Sequence, residues 1–376
     1  MQNFEYIRPY RDDEVAGVIN RLAHDPALLR AAAAFFAPRL SRWAPWVARQ
    51  LASRSIQRRT AGLDSVRAVQ IWLAEYMARV IRDTIAELTV EGIEHLPADR
   101  PYLFLSNHRD IVMDSALLNY LLHGAGHRTA RVAVGDNLLS ERYAADLMRL
   151  NKSFVIERSA SGSRALYKAV NRTSSYIRHS LEEGESVWIA QREGRAKDGF
   201  DRTDPALLKM LSLAYRKELG SFGELLTRLS LVPVSVSYEL DPCDLRKAHE
   251  LCSAERHGAY VKRAGEDLAS MVDGITGYKG RVHFHVAPPL KAELADPEGM
   301  AATLDRIIVG GMRIFPTHVE AARRMGVKCA DSEVEVLPRA MRAFEARLEA
   351  CPEAERPYLL AGYGNLIRNR RTLGLD

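Results

Sequence analysis

The sequence predicts an α/β fold, a largely parallel sheet flanked by helices, with helical extensions at both ends of the chain. Two observations carry this. From Thr89 onward short apolar runs of strand length alternate with stretches of helical period, the pattern of a parallel sheet covered on both faces. Before Thr89 and after Pro288-Pro289 only helical stretches remain. A length of 376 residues buries a substantial core and accommodates either one large domain with helical additions or two domains. The expected division is an N-terminal helical, basic region over 1–90, an α/β domain over 91–290 and a C-terminal helical cap over 291–376.

The first ninety residues read as helices, ending in a long one over 63–88 that packs on the next domain. It carries Val66, Val69, Ile71, Trp72, Tyr76, Met77, Val80 and Ile81 at mostly helical spacing. Strands are expected at 102–105, 130–134, 154–156, 186–190, 231–237 and 282–286, and helices between them at 115–122, 139–150, 163–181, 205–219 and 244–271. His283 and His285 fall on one face of the last strand and receive no assignment. Helices are expected again at 297–312, 333–350 and 353–367, followed by a basic tail at Arg368, Arg370 and Arg371.

Charged residues make up 27% and hydrophobic ones 47%, an ordinary balance for a folded protein that argues against disorder. A net charge of +5 and a pI near 9.0 point to an anionic partner. That basicity is localised. Between Pro26 and Thr60 stand Arg30, Arg39, Arg42, Arg49, Arg54, Arg58 and Arg59 without one acidic residue, interleaved with Phe35, Phe36, Trp43, Trp46 and Val47. Arginines and large rings on helices suit an anionic membrane interface; a helical hairpin packed on the core, with a solvated arginine face, has the same composition. No run of 18 apolar residues is present, so no spanning helix is expected. The amino terminus is no signal peptide and the cysteines, Cys243, Cys252, Cys329 and Cys351, include no CxxC, so a reducing cytoplasmic setting is expected. Cys243, His249, Cys252 and His257 form a loose cluster whose spacings fit no familiar zinc finger.

Four stretches look unlike packing. At the first, the strand at 102–105 empties into a polar turn holding His108, Asp110 and Asp114, with Asp114 as the expected N-cap of the following helix. Strand ends of this kind are where α/β proteins place their sites. A carboxylate beside a histidine fixes its tautomer and stabilises the imidazolium, which makes a general base. Residues six apart on an ideal helix are about 240° out of phase, so pairing His108 with Asp114 requires the histidine in the turn and the aspartate at the helix start. Asp110 is the alternative partner.

The second stretch runs from Ser153 to Ser159 and brings Arg158 to a strand terminus. The third, from Trp188 to Gly199, ends a strand in Arg192, Glu193, Gly194, Arg195 and Lys197. Its arginines suit a phosphate as bidentate forks, and its glycines let the backbone turn closely around a ligand. The fourth, from Leu231 to Tyr238, is a buried strand with Pro233 near its start. Proline there implies a strand end or edge, where it could shape a pocket wall.

Taken in order, these blocks resemble the glycerolipid acyltransferase family, which includes the bacterial glycerol-3-phosphate and lysophosphatidate acyltransferases. That family shows His-x4-Asp, then Phe-x-x-Arg, then Glu-Gly-x-Arg-Ser, then a strand with proline. Here Asn107-His108 with Asp114 looks like the first block, Phe154 to Arg158 the second, Glu193-Gly194-Arg195 the third and Val232-Pro233-Val234 the fourth. The resemblance covers roughly 90–240. Two departures mark a divergent branch: His108 and Asp114 are one residue further apart than the family pattern, and the third block is shortened, with Ala196 where the family has serine.

The resemblance implies a catalytic α/β domain and transfer of a fatty acyl group from acyl carrier protein or coenzyme A to a hydroxyl of glycerol 3-phosphate or a lysophospholipid such as lysophosphatidate. His108 would be the base, Asp114 or Asp110 its support, and Arg158, Glu193, Gly194, Arg195, Lys197 and Pro233 the substrate-binding residues. No metal or other cofactor is implied. The expected partners are the acyl donor, the acceptor and an anionic membrane surface at the inner face of the cytoplasmic membrane, with no nucleic acid. The altered third block leaves open another acceptor, such as a lyso-aminolipid. A non-catalytic membrane- or nucleic-acid-binding protein is the remaining reading.

Overall fold

The computed structural model describes residues 4–139, 141–218, 220–263, 265–291 and 296–375, the side chains of Phe35, Phe36 and Pro38 excepted. Ser140, Leu219 and Ala264, inside ranges read as helix, therefore lie outside the described residues, as do the first three residues of the amino terminus. Among the described residues seven strands occur in chain order: β1 (Glu87–Glu91), β2 (Leu103–Ser106), β3 (Arg131–Gly135), β4 (Ser153–Ile156), β5 (Val187–Ala190), β6 (Leu231–Tyr238) and β7 (Arg281–Val286). Two compact units divide the chain, one of residues 1–76 and 131–173, the other of residues 77–130 and 174–376.

In the first unit β3 and β4 pair in parallel, with Val132 opposite Ser153. The helices Pro26–Phe36, Pro38–Trp43 and Pro45–Thr60 each begin on a proline, which lacks the N–H that a helix start leaves unused and presets its φ. Asp25 caps the first of them, its Oδ1 accepting from Ala27 N at 2.9 Å and Leu28 N at 2.8 Å. Val15, Val18 and Leu22, one stripe of the helix Asp12–His24, pack with Val69, Tyr143, Ala144 and Leu150. The basic helices keep much of their surface in water: Trp43 is 88% and Trp46 63% exposed, and Arg39, Arg42, Arg54, Arg58 and Arg59 are exposed as well.

In the second unit the strand order is β1-β7-β6-β2-β5. β2 pairs in parallel with β5 and β6, and β1 with β7; among the pairs described, only β6 with β7 is antiparallel. β2 is central and fully buried, as a parallel strand covered on both faces must be. Around the sheet lie Met113–Gly124, Asp244–His257, Glu266–Thr276 and the C-terminal helices Pro297–Gly310, Pro316–Arg324, Pro338–Ala350 and Arg356–Thr372. The last three enclose Phe344, Leu359 and Tyr363 with Leu240 and Ala321.

Several expectations need correction. The long helix is Val66–Thr84 and stops short of Leu88, because Leu88 and Val90 alternate with polar neighbours as β1 instead. The segment 244–271 is two helices, since Gly258 leaves the first at φ +79°, a left-handed conformation that ends a helix. The helix expected over 205–219 ends at Ser212, and Phe222–Leu229 and Pro316–Arg324 are helices that the periodicity did not suggest. Pro233 lies in an interior strand, not at an edge. Its carbonyl accepts from Ala287 N, and N–H and C=O of one residue in a strand point the same way, so its missing donor faces the side where β7 has already ended at Val286.

Candidate active site

The second unit builds a polar turn directly on β2. Asn107 is pinned to β6, its Nδ2 donating to Val236 O at 2.9 Å and its Oδ1 accepting from Val236 N at 2.8 Å. The chain then turns out of the sheet, and Ala196 N donates to His108 O at 2.8 Å. Asp114 is not the N-cap. The helix begins at Met113, and it is Asp110 whose Oδ1 accepts from Val112 N and Met113 N, both at 2.9 Å. Asp114, in the first helical turn, reaches back over the loop instead.

Its carboxylate collects four donors. Oδ2 accepts from His108 Nδ1 at 2.7 Å, Arg109 N at 2.6 Å and Asp110 N at 3.0 Å, and Oδ1 accepts from Tyr238 Oη at 2.8 Å. The Asp114 side chain is 1% exposed and that of His108 15%, so the carboxylate is sealed while the imidazole edge meets solvent. Because a carboxylate only accepts, His108 Nδ1 carries the proton in this contact, and Nε2 is the ring nitrogen left for a substrate. Trp188 packs edge-on against the ring, centroids 5.6 Å apart, and is itself fixed by its Nε1 donating to Ser106 Oγ at 2.9 Å. Of the two carboxylates read from the sequence, Asp114 is the one that holds His108. Asp110 is fully buried, and burial followed by the charge of Asp114 pushes its carboxyl above the ordinary range.

Ion pairs buttress the turn from behind. Arg109 pairs with buried Asp201, and Lys247 donates to Arg109 O at 2.6 Å while pairing with Asp241. Burial alone would raise Asp241, yet Lys247 and then Arg195 hold it below the usual carboxylate range.

The loop after β5 lies in the same unit. Gly194 takes φ +75°, and Gly199 takes φ +78° where a Cβ would stand 2.6 Å from Ala361 O, so glycine is required there. Arg195 carries a buried Nη1 with no hydrogen-bond partner among the described residues, and so do Gln191 Nε2 and Oε1. Arg192 donates to Phe200 O at 3.2 Å, Lys197 is paired with Glu250, and Glu193 is exposed. Distant segments hold this loop: Asn365 Nδ2 donates to Asp198 O at 2.8 Å, Asn369 Nδ2 to Asp201 O at 3.2 Å, and Thr203 N to Asp305 Oδ1 at 2.6 Å.

Arg158 belongs to the first unit. It follows β4 as an exposed side chain whose guanidinium lies over Gly135. Tyr238 joins this cluster although the motif reading does not name it, because nothing within its own strand signals a contact 124 positions away. Among the described residues no group of three or more His, Cys, Asp or Glu is arranged to hold a metal. Cys243 Sγ and Cys252 Sγ face the carbonyls of Ser270 and Ala354, and His249 Nδ1 lies 2.8 Å from Glu355.

Residues 87–237 match the family model Acyltransferase. Over that segment the chain is similar to acyltransferases. All four motif blocks, and the His108 turn with them, fall inside the matched segment, in keeping with the glycerolipid acyltransferase resemblance. The solved structures that it matches include the crystal structure of the 1-acyl-sn-glycerophosphate (LPA) acyltransferase, PlsC, from Thermotoga maritima. That match has 15% identity over 81% of this chain and 98% of that one, with a TM-score of 0.39. No curated protein matches this chain.

Proposed function

We propose that this chain moves a fatty acyl group from an acyl carrier protein or coenzyme A thioester to a hydroxyl of glycerol 3-phosphate or of a lysophospholipid such as lysophosphatidate. The observation that carries the reading is the His108–Asp114 pair, with Nδ1 occupied and Nε2 presented at a strand end. His108 Nε2 takes the proton of the acceptor hydroxyl as its oxygen attacks the thioester carbonyl. The tetrahedral intermediate collapses with cleavage of the C–S bond, and the thiolate recovers the proton from the imidazolium that Asp114 has stabilised. No covalent acyl-enzyme forms, no atom changes oxidation state, and the reaction needs no metal or redox cofactor.

The acceptor's phosphate would be oriented by Arg195, with Lys197, Glu193 and Gly194 shaping the loop. The support for this is the buried, open Nη1 of Arg195, since a buried donor without a partner is costly unless a ligand supplies one. The shortened block around Glu193-Gly194-Arg195 also favours a second reading in which the acceptor carries another polar head, such as a lyso-aminolipid. Incubation with a labelled acyl donor and a panel of lyso-acceptors, with the product read by mass spectrometry, distinguishes the two; no acylated product from any acceptor would sink both.

A lysophospholipid acceptor and its product partition into bilayers. No described helix is long and apolar enough to cross a membrane. Exposed Trp43, Trp46 and Leu51 among exposed arginines instead support docking on the anionic inner face of the cytoplasmic membrane. Binding to vesicles should require anionic lipid, weaken with salt and fall in a Trp43→Ala/Trp46→Ala variant; equal binding to neutral vesicles contradicts it.

A further inference from the structure

We infer that Tyr238 is a positioning residue for the acyl transfer, locking the Asp114 carboxylate in the plane that serves His108. The inference rests on the reading of His108 as the base and extends it to a residue outside the four motif blocks.

Three donors from one turn converge on Asp114 Oδ2. They hold that oxygen but leave the carboxylate rotation soft, because the terminal torsion of aspartate is broad. A donor on Oδ1 removes that freedom, and Tyr238 Oη supplies it at 2.8 Å. Tyr238 is rigid enough to do so. It is buried at the end of β6 opposite Val282, and its carbonyl lies 3.1 Å from His318 Nε2. Phe315 N donates to His318 Nδ1 at 3.1 Å, so the His318 proton resides on Nε2 and points at Tyr238 O. A phenylalanine would fill the same volume and leave Asp114 Oδ1 buried without its donor, so the hydroxyl has a role that packing does not explain.

The surroundings keep the phenol protonated. Burial first, and then the charges of Asp114, Asp110 and Asp241, raise its pKa well above the ordinary value. The cavity beside it is lined as well by Arg109, Lys197, Asp244, Lys247, Tyr363 and His318, the last kept neutral by its burial. A phenol donating to Asp114 also draws off part of the charge that stabilises the imidazolium. Tyr238 therefore trades some basicity for geometry, and the two effects leave separate signatures.

The test is proton and nitrogen NMR of the histidine rings in the full chain, with a His108→Gln sample assigning the His108 resonances. In Tyr238→Phe the carboxylate regains charge and mobility. The His108 titration midpoint should move upward by about 0.3 pH unit or more, and the Nδ1 proton resonance should shift. The acid limb of kcat/KM should move the same way, with KM for the acceptor unchanged. Placing 3-fluorotyrosine at position 238 preserves size and hydrogen bond but strengthens the donor, and should move the midpoint downward; this arm holds even if the phenylalanine variant folds poorly. An unmoved midpoint and resonance in both proteins would overturn the inference. Full turnover by His108→Ala would overturn the base reading alone, since the NMR shift does not depend on activity.

Discussion

The turn at 107–114 and the loop at 191–203 are neighbours in the second unit but are built in opposite ways. The turn is closed on itself: the Asp114 carboxylate holds four donors, three of them from residues within six positions, and it needs nothing further to be ready. The loop is held from outside by Asp305, Asn365 and Asn369, all beyond the matched segment, and it leaves Arg195 Nη1 and both polar atoms of Gln191 buried without partners among the described residues. The difference separates two tasks. A proton-transfer pair works best preorganised, whereas a recognition loop keeps its donors open for what it binds. On the proposed function, reaction chemistry would be local in the chain and recognition would draw on a loop held by residues of the C-terminal helices.

The largest expected effect lies in the turn. Asp114→Asn should lower kcat by about 10³-fold or more, because an amide in that place permits the wrong histidine tautomer. Asp110→Asn keeps an acceptor for Val112 N and Met113 N and should leave kcat within about tenfold. Equal losses in steady-state assays of the two variants would erase the distinction between them. Next in size, Arg195→Ala should raise KM for the acceptor by about tenfold or more with a smaller change in kcat, since it binds and does not react. A fall in kcat at unchanged KM would move Arg195 from the recognition half to the chemical half.

The smallest effect on turnover concerns buried histidines, His318 behind Tyr238 among them, and is read in stability instead. Burial pushes His318 down to about 3 and His283 down to about 4, from 6.5. The unfolded chain takes up both protons near pH 6.5 while the folded chain does not, so their contribution is present above that pH and lost on acidification toward pH 4. The slope is about 1.4 kcal/mol per pH unit for each histidine. Urea midpoints measured between pH 7 and 4.5 should fall, and should fall less in His318→Gln; identical slopes would show that His318 is not held neutral behind Tyr238.

How much of this the sequence revealed follows the same division. Six strands were legible because buried parallel strands are written as apolar runs, and the His108 turn because its partners are close in the chain. β1 was hidden at the end of a helical pattern, five residues being too few for alternation to stand out. The break at Gly258 was visible only as a glycine, one that helices also tolerate in their interiors. The cap was assigned to Asp114 where Asp110 takes it, since both are aspartates within reach of the same helix start. Long-range choices were illegible altogether. That Asn365 and Asn369 hold the loop, and that Tyr238 reaches Asp114, depends on contacts across more than a hundred residues that no local pattern encodes.

The central claim is that His108 is the base of acyl transfer. Single-turnover transfer from a labelled acyl thioester to the lyso-acceptor, compared between the native chain and a folded His108→Ala variant, tests it most directly. The account predicts a loss of about 10²- to 10⁴-fold in the variant, with acceptor binding retained. Turnover at the native rate by the folded variant would contradict it.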